Sequence, residues 1–568
     1  MQDGIKQILR VLVIINSSLL IINYSVAQPL KQSPGPTHAD TLRGTYGPSR
    51  DWWNVLKYNL EVKFNIADST ISGTNTIQFK ILRKGDTMQI DLQEPMILDG
   101  YQFSDGGAYP PKTIAKAFRK DGDAYFLAMP EFYNNLKPAF KKTVYLRLFY
   151  HGKPRIARRP PWDGGLIWKK DKNNNPWVSV ACQGLGASVW YPCKDHQADE
   201  PDSAEMQITI PDSLVCVGNG RFRGKINNGD GTATYDWAVV NPINNYCIVP
   251  YIGKYVHFSE VFKGEKGNLD MDYWVLDYNL EKAKKQFTDA PRMIKAFEHW
   301  FGPYPFYEDG YKLVEAPHLG MEHQSATAYG NGYQNGYLGR DRSGSGWGSK
   351  WDFIIIHESG HEWFANNITS KDIADMWIHE GFTNYSETLF TDFYYGKEAG
   401  NAYIIGSRRN IQNDKPIIGL YNVNQEGSGD MYDKAGNMLH TIRQLVNDDE
   451  KFRSILRGLN KTFNHQTVTT KQVEDFMSKQ SKIDLSKIFD QYLRTAQVPV
   501  LEYKIEGYKF SYRYTNCIPG FNMPLKIHFK TDQLIKPTEE WKSFEMYPEG
   551  DIKFAVDPNF YIKTKKVD

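Results

Sequence analysis

The sequence is poor in cysteine and shows almost no excess of charge of either sign. Five cysteines in 568 residues are too few for a disulfide framework, and none forms the C-x-x-C pairs of a thiolate zinc site. Cys182 and Cys193 either pair or stay reduced and buried. Lysine and arginine total 68 against 66 aspartates and glutamates, so the basic excess typical of proteins that bind nucleic acid is absent.

Long apolar runs are also scarce, and the one candidate lies at the N-terminus. The run "VLVIINSSLLII" follows Lys6 and Arg10 and precedes the small residues "SVA" that end at Ala27. This pattern is typical of an export signal, so we expect residues 1–27 to be a signal peptide and the protein to be periplasmic or secreted. A retained membrane anchor is the alternative, but the run is short and interrupted by polar residues.

Hydrophobic periodicity divides the rest of the chain into three parts. Short alternating runs up to Asp277 predict an N-terminal antiparallel β-domain over residues 28–277. Apolar residues at the helical spacing predict a mainly helical domain over 278–497, and alternation then returns in a small β-domain over 498–568. The fold class is therefore multidomain α+β. A glycine-rich stretch at 330–350 predicts a mobile surface loop beside the first motif helix.

The motif "HESGH" provides half of a candidate metal site. His357 and His361 are one helical turn apart, so their ring nitrogens can converge on one ion, and Glu358 shares that side without being a ligand. A catalytic zinc site needs a third protein ligand and an open position. We predict a second, antiparallel helix over 370–390 that presents Glu380 to the two histidines, and one Zn²⁺ per chain.

The alternative is that H-E-x-x-H arose by chance on a solvated helix face. Glu380 on a predicted helix after a suitable turn favours the metal site. Its neighbour His379 points about 100° around the helix and is predicted to line the wall of the site or to contact a metal ligand, rather than to be a ligand itself. Glu387, seven residues further on, returns to the Glu380 face and is expected to orient a ligand histidine.

The predicted chemistry is hydrolysis of an amide bond without a covalent intermediate. Zinc would lower the pKa of a water molecule and polarise a carbonyl, which leaves Glu358 to take the proton from the water and pass it to the departing amine. The attack creates an oxyanion, so a neutral hydrogen-bond donor should lie opposite the metal.

From about Asp51 onward, the chain resembles the zinc aminopeptidases of peptidase family M1, the group of aminopeptidase N and leukotriene hydrolase. The family signature H-E-x-x-H-x18-E appears as "HESGH" followed by Glu380 and "GFTNYSE". The resemblance implies an N-terminal β-domain, a thermolysin-like catalytic domain and a C-terminal β-sandwich.

A second family motif, G-x-M-E-N, is similar to "LGMEH" in this chain. The resemblance implies that Glu322 binds the free amine of the substrate and that Gly320 and Met321 belong to the substrate-binding strand. Leu319 and His323 depart from the family pattern, which has glycine and asparagine at these positions beside the first side-chain pocket.

Two further roles follow from the resemblance. The segment "MYDKAG" is similar to the family's Y-E-K-G context and implies that Tyr432, at a predicted helix start, donates to the oxyanion. The segment "ACQGLGASVWYP" implies that Gln183 lines the amine site.

The resulting prediction is a zinc-dependent aminopeptidase that acts on short peptides with a free N-terminus. Nucleic acid is not an expected partner, and no stable membrane insertion is expected after signal removal. A zinc endopeptidase and a catalytically silent M1-like binding protein remain alternatives. Glu322 disfavours the first, and the full set of catalytic residue types disfavours the second.

Overall fold

The computed structural model describes residues 35–104, 114–130, 143–546 and 553–568. The predicted signal peptide therefore lies outside the described residues, as does the start of the predicted N-terminal domain.

Residues 53–276 are built mainly from β-strands, because alternating apolar runs end at glycine, proline and asparagine turns. In the part of the preceding segment that the structure describes, residues 35–52, there is a short helix, α1 (His38–Gly44). The strands are β1 (Trp53–Asn65), β2 (Thr70–Ile81), β3 (Thr87–Asp91), β4 (Ile97–Ser104), β5 (Phe118–Asp121), β6 (Ala124–Ala128), β7 (Thr143–Gly152), β8 (Gly165–Lys170), β9 (Pro176–Ala181), β10 (Ser203–Pro211), β11 (Val215–Val217), β12 (Arg221–Asn227), β13 (Thr232–Val239), β14 (Tyr251–Gly253), β15 (Tyr255–Gly264) and β16 (Gly267–Leu276). Burial alternates along β10 and β13, as expected for strands with one buried face.

The first fourteen strands form three sheets around one hydrophobic core. Seven strands pair in the order β12-β13-β10-β1-β2-β7-β4, and four pair in the order β11-β14-β9-β8. A smaller sheet has the order β3-β6-β5. Strand β1 runs parallel to β10 and antiparallel to β2. The core between these sheets, called here the N-terminal core, contains Trp53, Phe79 and Trp190.

The following part of the chain is mainly helical. Its helices are α2 (Leu280–Gln286), α3 (Asp289–Phe301), α4 (Phe353–Gly360), α5 (Trp377–Tyr395), α6 (Lys397–Ser407), α7 (Asp433–Val446), α8 (Asp449–Thr462), α9 (Thr470–Ser481) and α10 (Ser486–Arg494). Its short strands are β17 (Tyr311–Glu315), β18 (Gly320–Met321), β19 (Thr327–Tyr329), β20 (Ile368–Ser370) and β21 (Gln466–Val468).

A five-stranded sheet in the order β15-β16-β17-β19-β18 joins the β-rich and helical parts. Strand β16 lies in the predicted N-terminal domain, yet it pairs in parallel with β17, so that Met271 lies opposite Tyr311. Met271, on one face of the sheet, packs into a second hydrophobic core, which is formed largely by the helices and is called here the helical core. Val314 and Ala328 pack into the N-terminal core. The two cores therefore share this sheet as a common layer.

Helices α4 and α5 pack against each other in the middle of the helical part. Every residue of α4 except Glu358 is buried, and Asp352 caps its start by accepting from the backbone N–H of Ile354 at 3.1 Å. The first fifteen residues of α5 are buried as well. Buried on all sides, both helices are fixed by packing.

The start of the second predicted helix was wrong by seven residues, since α5 begins at Trp377 rather than at 370. Ser370 belongs to β20, where it pairs with Val468 of β21. The side chain of Asp372 then accepts from the backbone N–H of Ala374 at 2.9 Å, which starts a separate short turn. Tertiary strand pairing thus overrides the helical pattern of this segment.

The C-terminal strands form two small sheets. They are β22 (Val500–Glu506), β23 (Lys509–Thr515), β24 (Leu525–His528), β25 (Asp532–Ile535), β26 (Lys542–Glu545), β27 (Ala555–Val556) and β28 (Lys563–Lys566). Four pair in the order β26-β23-β22-β28 and three in the order β25-β24-β27. Phe510 and Ile527, one from each sheet, share a buried core.

The multidomain α+β class, with a β-rich N-terminal region and a helical region after it, is confirmed. The domain boundaries at 277 and 497 stay predictions. The five cysteines are free thiols, four of them buried. Among the described residues, every helix is too short or too polar to cross a bilayer.

Candidate active site

His357 and His361 lie at the C-terminal end of α4, with their rings on one side of the helix. Both are buried, and their ring centroids are 5.0 Å apart. The Nδ1 atom of His357 donates to Glu387 Oε1 over 2.7 Å. Since Nδ1 is thereby protonated, the Nε2 lone pair of His357 is left for another partner.

The backbone leaves helical geometry at Phe364, three residues after His361. Phe364 has φ −131° and ψ 90°, and Ala365 has φ +143°, a conformation that non-glycine residues rarely adopt. This bend turns the Phe364 carbonyl oxygen back to His361 Nδ1, 3.0 Å away. His361 Nδ1 therefore donates to a carbonyl, and its Nε2 atom points the other way.

Glu380, in the first turn of α5, completes a three-donor arrangement. Its Oε2 atom lies 3.3 Å from His361 Nε2 and 3.7 Å from His357 Nε2. This buried oxygen has no hydrogen-bond donor among the described residues. Burial alone would raise the pKa of Glu380, but the adjacent His361 and His357 hold that pKa below its usual range. Donors of a tetrahedral zinc site with bonds of about 2.0–2.1 Å lie about 3.3 Å apart, so these three side chains fit zinc.

Two residues beside the triad behave as predicted. Glu387 holds His357, as described above, and its other oxygen accepts from Tyr403 Oη at 2.6 Å. His379 turns away from the triad, and its Nε2 accepts from the backbone N–H of Ser370 at 2.8 Å. The predicted contact of Glu387 with a histidine of the site is present, and His379 is not one of the three donors.

Glu358 lies between the metal triad and strand β18. Glu322, Glu358 and His361 each offer an atom within 4.8 Å of the others. A Cβ atom at Gly320 would lie 2.6 Å from Glu358 Oε1, so Gly320 leaves the space that the carboxylate occupies. Because side chains alternate along a strand, Met321 points the other way into the N-terminal core. Any contact of Met321 with a substrate would therefore use its backbone.

Glu322 is buried at the end of β18, and a tyrosine from the β-rich part holds it. Tyr246 Oη donates to Glu322 Oε1 over 2.7 Å, and Asn366 Nδ2 donates to the Glu322 backbone carbonyl over 2.9 Å. Burial raises the pKa of Glu322. Burial also raises the pKa of Glu358, to about 7, and the neighbouring charge of Glu322 adds a smaller increase. A site with this many carboxylates is suited to cationic groups.

The two departures from the G-x-M-E-N pattern have clear structural positions. His323 is fully buried, and its Nδ1 lies 2.5 Å from Tyr251 Oη. Burial holds the pKa of His323 well below its usual value, so its ring is neutral. Leu319 is partly buried and packs against the helical core.

Tyr432 lies at the start of α7, as predicted, with its ring stacked on His357 at 6.1 Å between centroids. Burial raises the pKa of Tyr432 well above its usual value, so the phenol keeps its proton near neutral pH. The glycine-rich loop 330–350 borders this region. Its Arg342 pairs with Asp433 at 3.2 Å and lies over the ring of Phe353, which in turn stacks on His357.

Gln183 reaches the site from a turn after β9. Its Nε2 atom donates to Glu380 Oε1 over 3.1 Å, so the predicted amine-site glutamine contacts the carboxylate of the metal triad. The structure therefore brings together His357, Glu358, His361, Glu380, Glu322, Gly320, Tyr432 and Gln183.

Comparison with known proteins agrees with this geometry. The sequence profile described as the Peptidase family M1 domain matches residues 286–492. The chain contains a peptidase family M1 domain. This confirms the family that the zinc and G-x-M-E-N motifs predicted, and the matched range holds the metal triad, Glu358, Glu322 and Tyr432.

Curated relatives of this chain are remote. It is 22% identical to leukotriene A-4 hydrolase of Xenopus laevis over 371 residues, which are 61% of this chain and 58% of the relative. It is 24% identical to aminopeptidase B of Mus musculus over 410 residues, 68% of this chain and 57% of the relative. The chain thus spans a little over half the length of these relatives.

Solved structures show the same fold over most of the chain. A variant of the M1 zinc metallopeptidase from Deinococcus radiodurans bound to a Tyr-Ser-Ala substrate has a TM-score of 0.64 and 19% identity, and covers 78% of this chain and 95% of its own. A two-domain M1 zinc metallopeptidase variant bound to L-tryptophan has a TM-score of 0.62 and 20% identity. The match covers 76% of this chain and 92% of that protein.

Sequence reasoning missed Tyr246 and the carbonyl of Phe364. Tyr246 lies 76 residues before Glu322 in a segment without a motif. The Phe364 carbonyl reaches His361 only because the backbone bends at Phe364 and Ala365, and neither of these residues is a glycine or a proline. Both contacts depend on tertiary structure.

We expect Glu387→Gln to weaken zinc binding about 10-fold or more, because the substitution removes the negative charge that orients His357 and increases its basicity. The measurement is a zinc competition titration with a chromogenic chelator. Glu398→Gln, an exposed change on α6, is the matched control. Equal zinc affinity in both variants would show that Glu387 does not support the site.

Proposed function

We propose that this chain is a zinc-dependent aminopeptidase that removes the N-terminal residue from short peptides. The observation that carries the proposal is the convergence of two imidazole Nε2 atoms on a buried, otherwise unpartnered oxygen of Glu380, with Glu358 and Glu322 next to it. Hydrolysis of a peptide bond needs a metal position, a base and an amine anchor, and these residues can provide all three.

His357, His361 and Glu380 would hold the zinc ion. When bound, zinc supplies a Lewis acid that polarises a carbonyl and lowers the pKa of water. Glu358 shares the side of α4 that carries the histidines and is the general base of the proposal. It takes a proton from the attacking water and delivers that proton to the nitrogen of the departing amine.

Glu322 is the proposed anchor for the substrate's α-ammonium group. Its carboxylate lies within 4.8 Å of Glu358 and His361. This distance is close to the length that one residue spans along a peptide. An internal stretch of peptide would leave this buried acid without a cation, which costs free energy. Gln183 lines the same region through its contact with Glu380.

Tyr432 is the proposed donor to the oxyanion that forms at the scissile carbonyl. Its ring lies against His357, and its phenol remains protonated because burial raises its pKa. A neutral donor fixed in place stabilises the charge that develops during attack.

The names of similar proteins support a peptide substrate. One relative is called aminopeptidase B, and one structural neighbour is bound to a Tyr-Ser-Ala substrate. A peptide with a free amine is also what Glu322 favours, so we choose Tyr-Ser-Ala as the test substrate below.

We expect Glu358→Gln to lower kcat for Tyr-Ser-Ala about 10²–10⁴-fold, since the base that moves the proton is lost. Tyr432→Phe should lower kcat about 10²–10³-fold, because it removes only the oxyanion donor. Release of tyrosine from the zinc-loaded protein is the measurement. Tyr508→Phe is the control, as Tyr508 is 64% exposed. Activity within twofold of the unmodified protein in either site variant would exclude the assigned role.

We expect Glu322→Gln to raise KM for Tyr-Ser-Ala about 10-fold or more, because an ammonium ion loses a charged partner. The unmodified protein should fail to hydrolyse the N-acetylated tripeptide, which has no ammonium group. Rapid cleavage of the N-acetylated form would favour an endopeptidase and contradict the assignment of Glu322.

A further inference from the structure

The turn that carries Gln183 is held by hydrogen bonds from two distant segments. Its Gly184 has φ +69° and its Gly186 has φ +97°, conformations that suit glycine. The Gly184 carbonyl oxygen accepts from Arg43 Nη2 and from Asn424 Nδ2, each at 3.0 Å. One donor comes from α1 and the other from the segment before α7, so this peptide plane is fixed from two sides.

Gln183, Gly184 and Leu185 are only partly buried, so packing does not fully enclose this turn. A cavity of about 50 Å³ lies beside it, lined by Arg43, Cys182, Gly184, Tyr246 and Asn424 among others. Within the turn, Leu185 N donates to the Gln183 carbonyl and Gly186 N donates to the Cys182 carbonyl, each over 2.7 Å, and Gln93 Nε2 donates to the Leu185 carbonyl over 2.8 Å. The bonds from Arg43 and Asn424 are the ones that hold the peptide directly after Gln183.

Arg43 is itself locked in place. Its side chain is only 15% exposed, and Nε lies 3.7 Å from Asp195 Oδ2. A Cβ atom at Gly186 would collide with both the Arg43 guanidinium and the Asp195 carboxylate. Asp195 also accepts from the Ser188 hydroxyl at 2.5 Å. The guanidinium therefore occupies a notch that only glycine leaves open.

Helix α1 owes its position to these polar contacts. It has seven residues and buries no side chain, and a helix this short is not stable by itself in water. Its Asp40 carbonyl oxygen accepts from Asn424 N at 3.0 Å, and the Arg43 carbonyl oxygen accepts from the fully buried Arg50 at 2.8 Å. Helix α1 thus contacts both the turn that carries Gln183 and the segment that carries Asn424.

We propose that Arg43 is a positioning residue that, together with Asn424, holds the Gly184 carbonyl so that Gln183 lines the amine site. This inference rests on the proposed aminopeptidase function. Arg43 touches no reacting atom, and its effect passes through the Gln183 turn. Loss of the hold should weaken binding of the substrate amine and leave the proton transfers of Glu358 intact.

The test uses two substitutions that spare the fold. Arg43→Lys keeps a cation near the buried Asp195 but loses the planar fork that reaches Gly184. Asn424→Ala removes the other donor without touching Asp195. Arg83→Lys is the control, since Arg83 is 57% exposed and pairs with Asp51. Each change is made in the full chain and again in a Gln183→Ala background, with the zinc-loaded protein and Tyr-Ser-Ala.

The proposal predicts that Arg43→Lys and Asn424→Ala each raise KM about five- to tenfold, the loss of one well-placed hydrogen bond. The value of kcat should stay within twofold, and the melting temperature should match that of Arg83→Lys. In the Gln183→Ala background neither change should raise KM further, because the residue through which they act is gone. An unchanged KM, or an equal loss of activity in the Gln183→Ala background, would overturn the proposal.

A failure of the proposed function is distinguishable from a failure of this inference. If the unmodified protein does not hydrolyse Tyr-Ser-Ala, the dissociation constant of the tripeptide, measured by calorimetry, replaces KM. The same pattern across the variants then supports the role of Arg43 without any catalysis. Absence of binding to the unmodified protein would overturn both proposals.

Discussion

The site depends on one buried oxygen that faces two histidine nitrogens. Glu380 Oε2 is without a donor among the described residues, and His357 and His361 direct their Nε2 lone pairs toward it. Three electron-rich atoms in an interior are unfavourable unless a cation lies between them. Much of the surrounding structure holds these three atoms in place or lies close to the cation that they would bind.

The fold fixes the triad from both of its hydrophobic cores. Helices α4 and α5 are buried among apolar side chains, which holds the histidines and Glu380 in register. The β-rich part contributes through polar contacts, with Tyr246 on Glu322 and Gln183 on Glu380. The five-stranded sheet packs against both cores, and Glu322, the proposed amine anchor, directly follows its strand β18.

Local pattern predicted much of this arrangement. The spacing of His357, His361 and Glu380 predicted the triad, and the step of seven residues to Glu387 predicted its contact with a histidine. The alternating runs predicted the β-rich region, because each reflects the period of a half-buried strand. The resemblance added Tyr432 and Gln183, which periodicity alone would not have singled out among 35 tyrosines and the other polar residues.

Contacts between distant segments were beyond such reasoning. Strand β16 reads as part of the N-terminal domain, but its partner β17 lies in the helical part. The second helix starts late because β20 pairs with β21, nearly a hundred residues away. The break at Ala365 has no sequence signal, and it is what gives His361 its Nδ1 acceptor. In each case the deciding energy comes from a partner that the local sequence does not contain.

The central claim is that one cation binds to two imidazoles and one carboxylate. X-ray absorption at the zinc edge of the zinc-loaded protein tests it most directly. The account predicts one zinc per chain with nitrogen and oxygen neighbours at about 2.0–2.1 Å and the outer scattering of imidazole rings. A sulfur shell at about 2.3 Å would assign the metal to cysteine thiolates instead and would contradict the account.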